Sequence, residues 1–508
     1  MALTHVHVAV AGSGFGGLGT AIRLKQQGID DFLVFERAGD LGGTLRDNSY
    51  PGCTCDVPSH LYSFSFALNP RWSRSFSPQP EIWEYLRRCA VRFGVLPHLR
   101  FDHEVRAARW DDEHRRWHIE TSRGEFTADV FVAATGPLSE PSIPDVPGLP
   151  SFRGTAFHSA RGDHDHDLTG RDVAVIGTGA SAIQFVPHIQ PRVASLRIFQ
   201  RTASWVMPRR DRALTQAELA LFRTFPPAQR AVRASIYWAR ELYALGFLHP
   251  RLAGAAQAVA LRHLRKSLPD PALRERLVPD YTIGCKRVLL SSDYLPALAR
   301  ANVELVTSAV REVRPEGILT ADGVEHRVDT IIFGTGFHVT DSPIADRIRG
   351  RDGRTLAEVW RGSPQAYLGT TVTGFPNLFL LLGPNTGLGH TSVVFMAECQ
   401  IEYVLRALRF MHRHGVAALE PRRDAQQEFV SGVDTRMHNT VWLAGGCSSW
   451  YLDRTGRVSA IWPGFTWAYR RRLRRFDPGD YLPTPAGSPS GVGTAPPAAP
   501  APTPQVTS

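Results

Sequence analysis

At 508 residues and 43% hydrophobic content, the chain holds more apolar material than one core uses, since single cores stop growing at roughly 250–300 residues. Two domains are expected. No run approaches the ~18 uninterrupted apolar residues of a spanning helix, and the first residues lack a leader's basic flank and apolar core, so a membrane-spanning reading is excluded and a cytoplasmic protein is expected. The formal charge of +10 comes with no nucleic-acid module, so no nucleic-acid partner and no stable membrane anchor are expected.

In chain order, His5 to Ala11 reads as a short buried strand that runs into Gly12-Ser13-Gly14-Phe15-Gly16-Gly17 and then an Ala/Leu helix pattern. A glycine fingerprint alone is a weak signal. Between a strand and a helix it is a specific one: the first glycine permits the tight turn, the second lets backbone approach a pyrophosphate, and the helix N-terminus stabilises the anion. About 20 positions on, Phe32-Leu33-Val34-Phe35 ends in Glu36, a carboxylate placed to accept ribose hydroxyls and to repel a 2′-phosphate. The apolar run Val130 to Ala134 then ends in Thr135-Gly136, where the chain is expected to cross between domains.

A second copy follows. Val173-Ala174-Val175-Ile176 leads into Gly177-Thr178-Gly179-Ala180-Ser181-Ala182, and the strand Leu196 to Gln200 ends in Arg201-Thr202. A cation and a hydroxyl at the ribose position suit the 2′-phosphate of NADPH. One acidic and one basic position thus assign FAD to the first site and NADPH to the second. From about residue 214 to 268 the chain is rich in Ala, Leu and Arg at helical spacing, which predicts a helical insertion. Thr330 to Gly336 repeats the strand with a Thr-Gly end.

The simplest topology is α/β with two Rossmann-type dinucleotide-binding domains, the NADPH domain inserted into the FAD domain. The expected limits are 1–150 and 330–484 for the FAD domain and 151–329 for the NADPH domain with its helical insertion. Five arginines between Arg470 and Arg475 read as a solvated helical face. Residues 485–508, nearly all Pro, Ala, Gly, Ser and Thr, are expected to be a disordered tail. The six cysteines, Cys53, Cys55, Cys89, Cys285, Cys399 and Cys447, form no C-x-x-C pair; reduced thiols and no metal site are expected.

Three segments resemble the class B flavin monooxygenases, and among them the Baeyer–Villiger monooxygenases. The stretch Gly42 to Asp56 is similar to the family's flavin-side signature, with Leu45 where the family has Trp. The stretch Phe152 to Asp163 resembles the fingerprint F-x-G-x-x-x-H-x-x-x-W-[PD], with Phe152, Gly154, His158 and Asp163 present and Gly162 in the Trp position. Gly284-Cys285-Lys286-Arg287 resembles the segment that brings an arginine to the flavin and a lysine toward NADPH.

The resemblance implies Arg287 as catalytic cation and Asp56 as its carboxylate partner. It implies a flavin-side set of Gly12, Gly14, Phe15, Gly17, Glu36, Thr44, Leu45, Thr54, Asp56 and Tyr62. For NADPH it implies Gly177, Thr178, Gly179, Ser181, Arg201, Thr202 and Lys286. His158 is expected to organise the interdomain linker or to be satisfied by backbone, without a role in proton transfer. Leu382 to Thr391 resembles the loop before the last flavin-domain helix.

The implied reaction is oxidation of a ketone by dioxygen to an ester or lactone through a C4a-peroxyflavin, in a monomer or weak homo-oligomer. Two other readings stay open from sequence: an N- or S-oxygenating flavin monooxygenase, and a nucleotide-binding homologue impaired by Leu45 and Gly162.

Overall fold

The computed structural model describes residues 3–163 and 165–487. Its first sheet runs Ile348–Arg349, Val105–Asp111, Arg116–Thr121, Gly124–Ala133, Thr4–Ala11, Phe32–Phe35, Leu99–Arg100, and Leu378–Leu380 pairs with Gly124–Ala133 outside that path. The strands around Thr4–Ala11 are parallel, with Val8 opposite Phe32 and Val130, and Val10 opposite Val34 and Val132. Val8 and Val10 face one core with the helices Phe15–Gln26 and Val393–His414, while Ala9 and Ala11 face another with Trp110, Trp117 and Phe375. Burial on both faces explains why the strand is an unbroken apolar run rather than an alternating one.

The second sheet is wholly parallel, in the order Val303–Val306, Ser195–Phe199, Asp172–Ile176, Thr330–Phe333, Thr155–His158. Its strands fall in sequence between Gly124–Ala133 and Leu378–Leu380, which are neighbours in the first sheet. The second unit is therefore an insertion in the first, as the paired Thr-Gly strands suggested.

Within residues 214–268 lie the helices Gln216–Thr224, Pro226–Glu241, Ala244–Leu248 and Ala253–Ser267. The first is held by a capping box in which the Thr215 hydroxyl accepts from the Glu218 amide. The helix Thr466–Leu473 leaves Arg470, Arg471 and Arg472 exposed. Among the described residues no helix is long and apolar enough to cross a membrane.

Two expectations need correction. Pro485 pairs with Val416, and the Ala486 amide donates to the Gly415 carbonyl, so a strand pairing carries past the expected start of the tail; residues 488–508 lie outside the described residues. The cysteines are not all reduced, since Cys285 and Cys447 form a disulfide across 162 residues, leaving Cys53, Cys55, Cys89 and Cys399 free. Local spacing cannot reveal a pair that only the tertiary fold brings together. Alkylation of the denatured, unreduced protein should modify the four free thiols and, after reduction, all six; six before reduction would remove the bridge.

Candidate functional site

The first glycine cradle forms where Thr4–Ala11 turns into Phe15–Gln26. Gly12 has φ +97°, and a Cβ there would lie 2.7 Å from the Ala134 carbonyl oxygen; one on Gly17 would lie 1.8 Å from the Gly12 oxygen. Gly12 therefore serves the turn and Gly17 the contact of helix with strand. The helix has no side-chain cap and no acid in its first turn, which leaves its N-terminal amides suited to an anion. The cradle opens on a cavity of about 210 Å³ lined by Gly12, Gly14, Phe15, Glu36, Thr44, Leu45 and Tyr62. Val393, the first residue of the Val393–His414 helix, reaches the same cavity, as do Leu381 and Leu382 from the preceding loop.

Glu36 is buried and fully engaged. One carboxylate oxygen accepts from the Ser13 amide at 3.0 Å and hydroxyl at 2.7 Å, and the other from the Ala38 amide at 3.1 Å and Arg46 at 2.9 Å. With four acceptor positions filled, a further donor would reach this carboxylate only by exchange with one of these. Arg46 was not foreseen: nothing in the local pattern separates it from a surface arginine.

The second cradle repeats the geometry. Gly177 has φ +107°, with the Gly334 oxygen 2.4 Å from a notional Cβ, whereas around Gly179 the nearest such atom is 3.9 Å away. That second glycine leaves backbone open to approach. Ser181 precedes the helix Ala182–Ile189 and makes no side-chain cap. Thr178 lines a small neighbouring cleft, Arg201 is exposed and Thr202 half-buried. The Trp205 indole donates to the Tyr281 carbonyl at 2.8 Å, and the Tyr281 hydroxyl to the Ala203 carbonyl at 3.1 Å. This clamp brings Lys286 near Arg201: burial and then the Arg201 charge push the Lys286 ammonium below its ordinary pKa, with Asp280 partly offsetting them. Two cations within electrostatic reach of each other fit a phosphate-bearing ligand.

Arg287 follows a turn at Gly284, whose φ is +95° and whose notional Cβ would strike the Phe247 ring at 2.7 Å. Its Nε and Nη2 donate to one oxygen of Asp56 at 2.9 and 2.6 Å. The Asp56 charge holds the guanidinium above its ordinary pKa. Burial pushes the Asp56 carboxyl up, but the charge and hydrogen bonds of Arg287, with Arg240, outweigh it, and the group lies below the usual carboxylate range. Tyr62, on the wall of the first cavity, is pushed up by burial and by Cys55 and Asp56, and feels Arg287. The ion pair is thus within electrostatic reach of Tyr62 on the first cavity's wall, and Lys286, its neighbour in sequence, is within reach of Arg201.

Asp56 and Arg287 line a separate cavity of about 810 Å³ walled by the helical insertion. Thr54 lines neither cavity. Its amide donates to Gln184 Oε1 at 3.1 Å, its carbonyl accepts from Gln184 Nε2 at 3.0 Å, and its hydroxyl accepts from Arg209 at 2.6 Å. Gln184 and Arg209, both unforeseen, tie the flavin-side segment to the inserted unit. His158 is buried; its Nδ1 accepts from the Ala160 amide at 3.1 Å, while its Nε2 has no hydrogen-bond partner among the described residues, and burial lowers its pKa. The residues fit two dinucleotides, one cradle with an acid at the ribose and one with paired cations.

A family model described as "Pyridine nucleotide-disulphide oxidoreductase" matches residues 9–215, the stretch holding both cradles. The chain is 56% identical over 479 residues to a Baeyer-Villiger monooxygenase of Streptomyces coelicolor, covering 94% of this chain and 92% of that protein. It is 48% identical over 483 residues to a Baeyer-Villiger monooxygenase of Pseudomonas aeruginosa, covering 94% and 92%. The crystal structure of OTEMO in complex with FAD and NADP superimposes with a TM-score of 0.85 at 28% identity, covering 94% of this chain and 99% of the other.

Proposed function

This chain belongs to the Baeyer–Villiger monooxygenase family, and on that premise we propose that it converts a ketone, dioxygen, NADPH and a proton into an ester or lactone, water and NADP+. FAD is its second cofactor, and bound in the first cradle it supplies oxygen activation while NADPH supplies the reducing hydride. The observation that carries the reading is Arg287, ion-paired with Asp56 on the wall of a large cavity lined by the helical insertion and by residues of both units.

The chain's own residues then have defined tasks. Negative charge gathers on the carbonyl oxygen as its carbon becomes tetrahedral, and a fixed donor such as the Arg287 guanidinium contributes about 3–4 kcal/mol to that stabilisation. Asp56 aims the guanidinium and keeps it charged. Arg201, Thr202 and Lys286 hold the dinucleotide by its 2′-phosphate, with Gly177, Thr178, Gly179 and Ser181 at its diphosphate. Gly12, Gly14, Phe15, Glu36, Thr44, Leu45 and Tyr62 hold the flavin, and Thr54 fixes the flavin-side segment through Gln184 and Arg209. The cavity walls keep water from the reacting centre.

The domain limits attached to this reading are 1–150 and 330–484 for the FAD unit and 151–329 for the NADPH unit. The reading includes a cytoplasmic setting, a monomer or weak homo-oligomer, and no nucleic-acid partner. The Cys285–Cys447 bridge is uncommon in a reducing compartment; its Cys285 is fully buried and its Cys447 half-buried.

Turnover of a ketone panel under ¹⁸O₂ tests the function. An ester or lactone carrying one ¹⁸O with a C–C bond replaced by C–O is expected; heteroatom oxides alone would defeat it. For the dinucleotide, Arg201→Ala should raise the KM for NADPH roughly ten-fold and leave kinetics with NADH nearly unchanged. Equal losses with both would remove Arg201 from the 2′-phosphate.

A further inference from the structure

Resting on the ketone-oxidising reading, we propose that the cavity selects keto acids, with Arg209 and Arg240 recognising a carboxylate a few carbons from the reacting carbonyl while an alkyl tail lies along the helical insertion. A neutral ketone needs one cation. This cavity is lined by four guanidiniums, those of half-buried Arg209, Arg240 and Arg287 and of exposed Arg210, and Asp56 is the one carboxylate among its lining residues.

Asp56 is already committed to Arg287, and its backbone carbonyl accepts from Arg240 at 3.0 Å. The nearest other acid, Asp211, lies 3.9 Å from Arg209 and is engaged by Arg74 at 2.8 Å, the Ser75 hydroxyl at 2.9 Å and the Phe76 amide at 3.1 Å. Nε and Nη2 of Arg209 and Nε of Arg240 are buried without a hydrogen-bond partner among the described residues. Burying cations and donors in this way is costly unless an anion joins them, and a planar guanidinium matches a carboxylate better than an ammonium does.

The rest of the wall has the opposite chemistry. Ile236, Leu242 and Val259 from the insertion and Leu388 from the flavin unit give it an apolar surface. A cationic end beside Arg287 and a long apolar body together describe an amphipathic ligand with its carbonyl and carboxylate at the same end.

The test uses enzyme loaded with FAD and NADPH, and compares 5-oxodecanoate, its methyl ester and 5-decanone. We expect kcat/KM for the acid to exceed that for the ester by roughly ten-fold or more, and the ratio to fall toward one in Arg209→Gln and Arg240→Gln. Because the ratio is internal to each variant, a general loss of activity does not move it. Decanoate, which has no ketone, should bind the loaded enzyme by calorimetry and bind more weakly in both variants.

A wild-type ratio at or below one would overturn the proposal. So would an unchanged ratio with a raised KM for NADPH in both variants, which would assign these cations to the dinucleotide's diphosphate. If no ketone is oxygenated, the proposed function fails while decanoate binding still decides the carboxylate claim: weaker binding in the variants upholds it, and no binding to the wild type ends it.

Discussion

Arg287→Ala should lower the rate of ester formation by roughly 10²–10³-fold in a protein that stays yellow and still oxidises NADPH. The guanidinium is the one cation fixed by two hydrogen bonds to Asp56 on the cavity wall. Its removal takes away the donor that meets charge on the carbonyl oxygen and leaves the glycine cradles untouched. Uncoupled NADPH oxidation, released as hydrogen peroxide, is the expected remainder. Arg287→Lys should recover only part of the loss, because an ammonium cannot reproduce the paired donors. Retained ester formation in Arg287→Ala would remove the residue from the chemistry. Heteroatom oxidation, which needs no such donor for a tetrahedral adduct, should fall far less.

The second large effect is expected from Gly17→Val, which should yield colourless protein that does not take up FAD. A first Cβ there already lies 1.8 Å from the backbone oxygen of Gly12, and backbone, unlike a flexible side chain, cannot swing aside. The helix Phe15–Gln26 must then move off the strand Thr4–Ala11, and with it the uncapped amides at its N-terminus. Overpacking of this kind costs about 1–3 kcal/mol or more, concentrated at the cradle. Gly246→Ala is the matched control: it lies in a helix with open space around its notional Cβ, so flavin content and thermal stability should hold. Yellow, fully loaded Gly17→Val would show that the first cradle does not hold the flavin.

These two residues differ in how they are read from sequence. Gly12, Gly17, Glu36 and their counterparts Gly177 and Arg201 fall within single strand–turn–helix–strand units, where the meaning of each position is set by neighbours a few to about 20 residues away. Local pattern suffices there. Arg287 and Asp56 are 231 residues apart, and no spacing rule pairs them; the resemblance to a family supplied both. Gln184, Arg209, Arg240 and Cys447 matched no motif and are meaningful only through contacts the inserted unit makes with the flavin side. Glu36 was legible as an acid at the ribose position, whereas its four protein donors were not, because they converge from three separate segments of backbone.

The departures at Leu45 and Gly162 read differently once placed. Leu45 lines the first cavity alongside Tyr62, so the position keeps its place on the flavin side with a smaller apolar group. Gly162 directly follows a short 3-10 turn at Ser159–Arg161, whose cap is the His158 imidazole. That cap is made by the histidine alone and does not use the ring that the family places at 162.

The central claim is that both cofactors meet at the Arg287–Asp56 pair, and a crystal structure of the protein with FAD and NADP+ bound tests it most directly. The account predicts FAD in the cradle of Gly12 and Gly17, NADP+ in that of Gly177 with its 2′-phosphate at Arg201 and Lys286, and the Arg287 guanidinium directed at the flavin ring. A flavin seated elsewhere, or Arg287 turned into solvent away from it, would contradict the account.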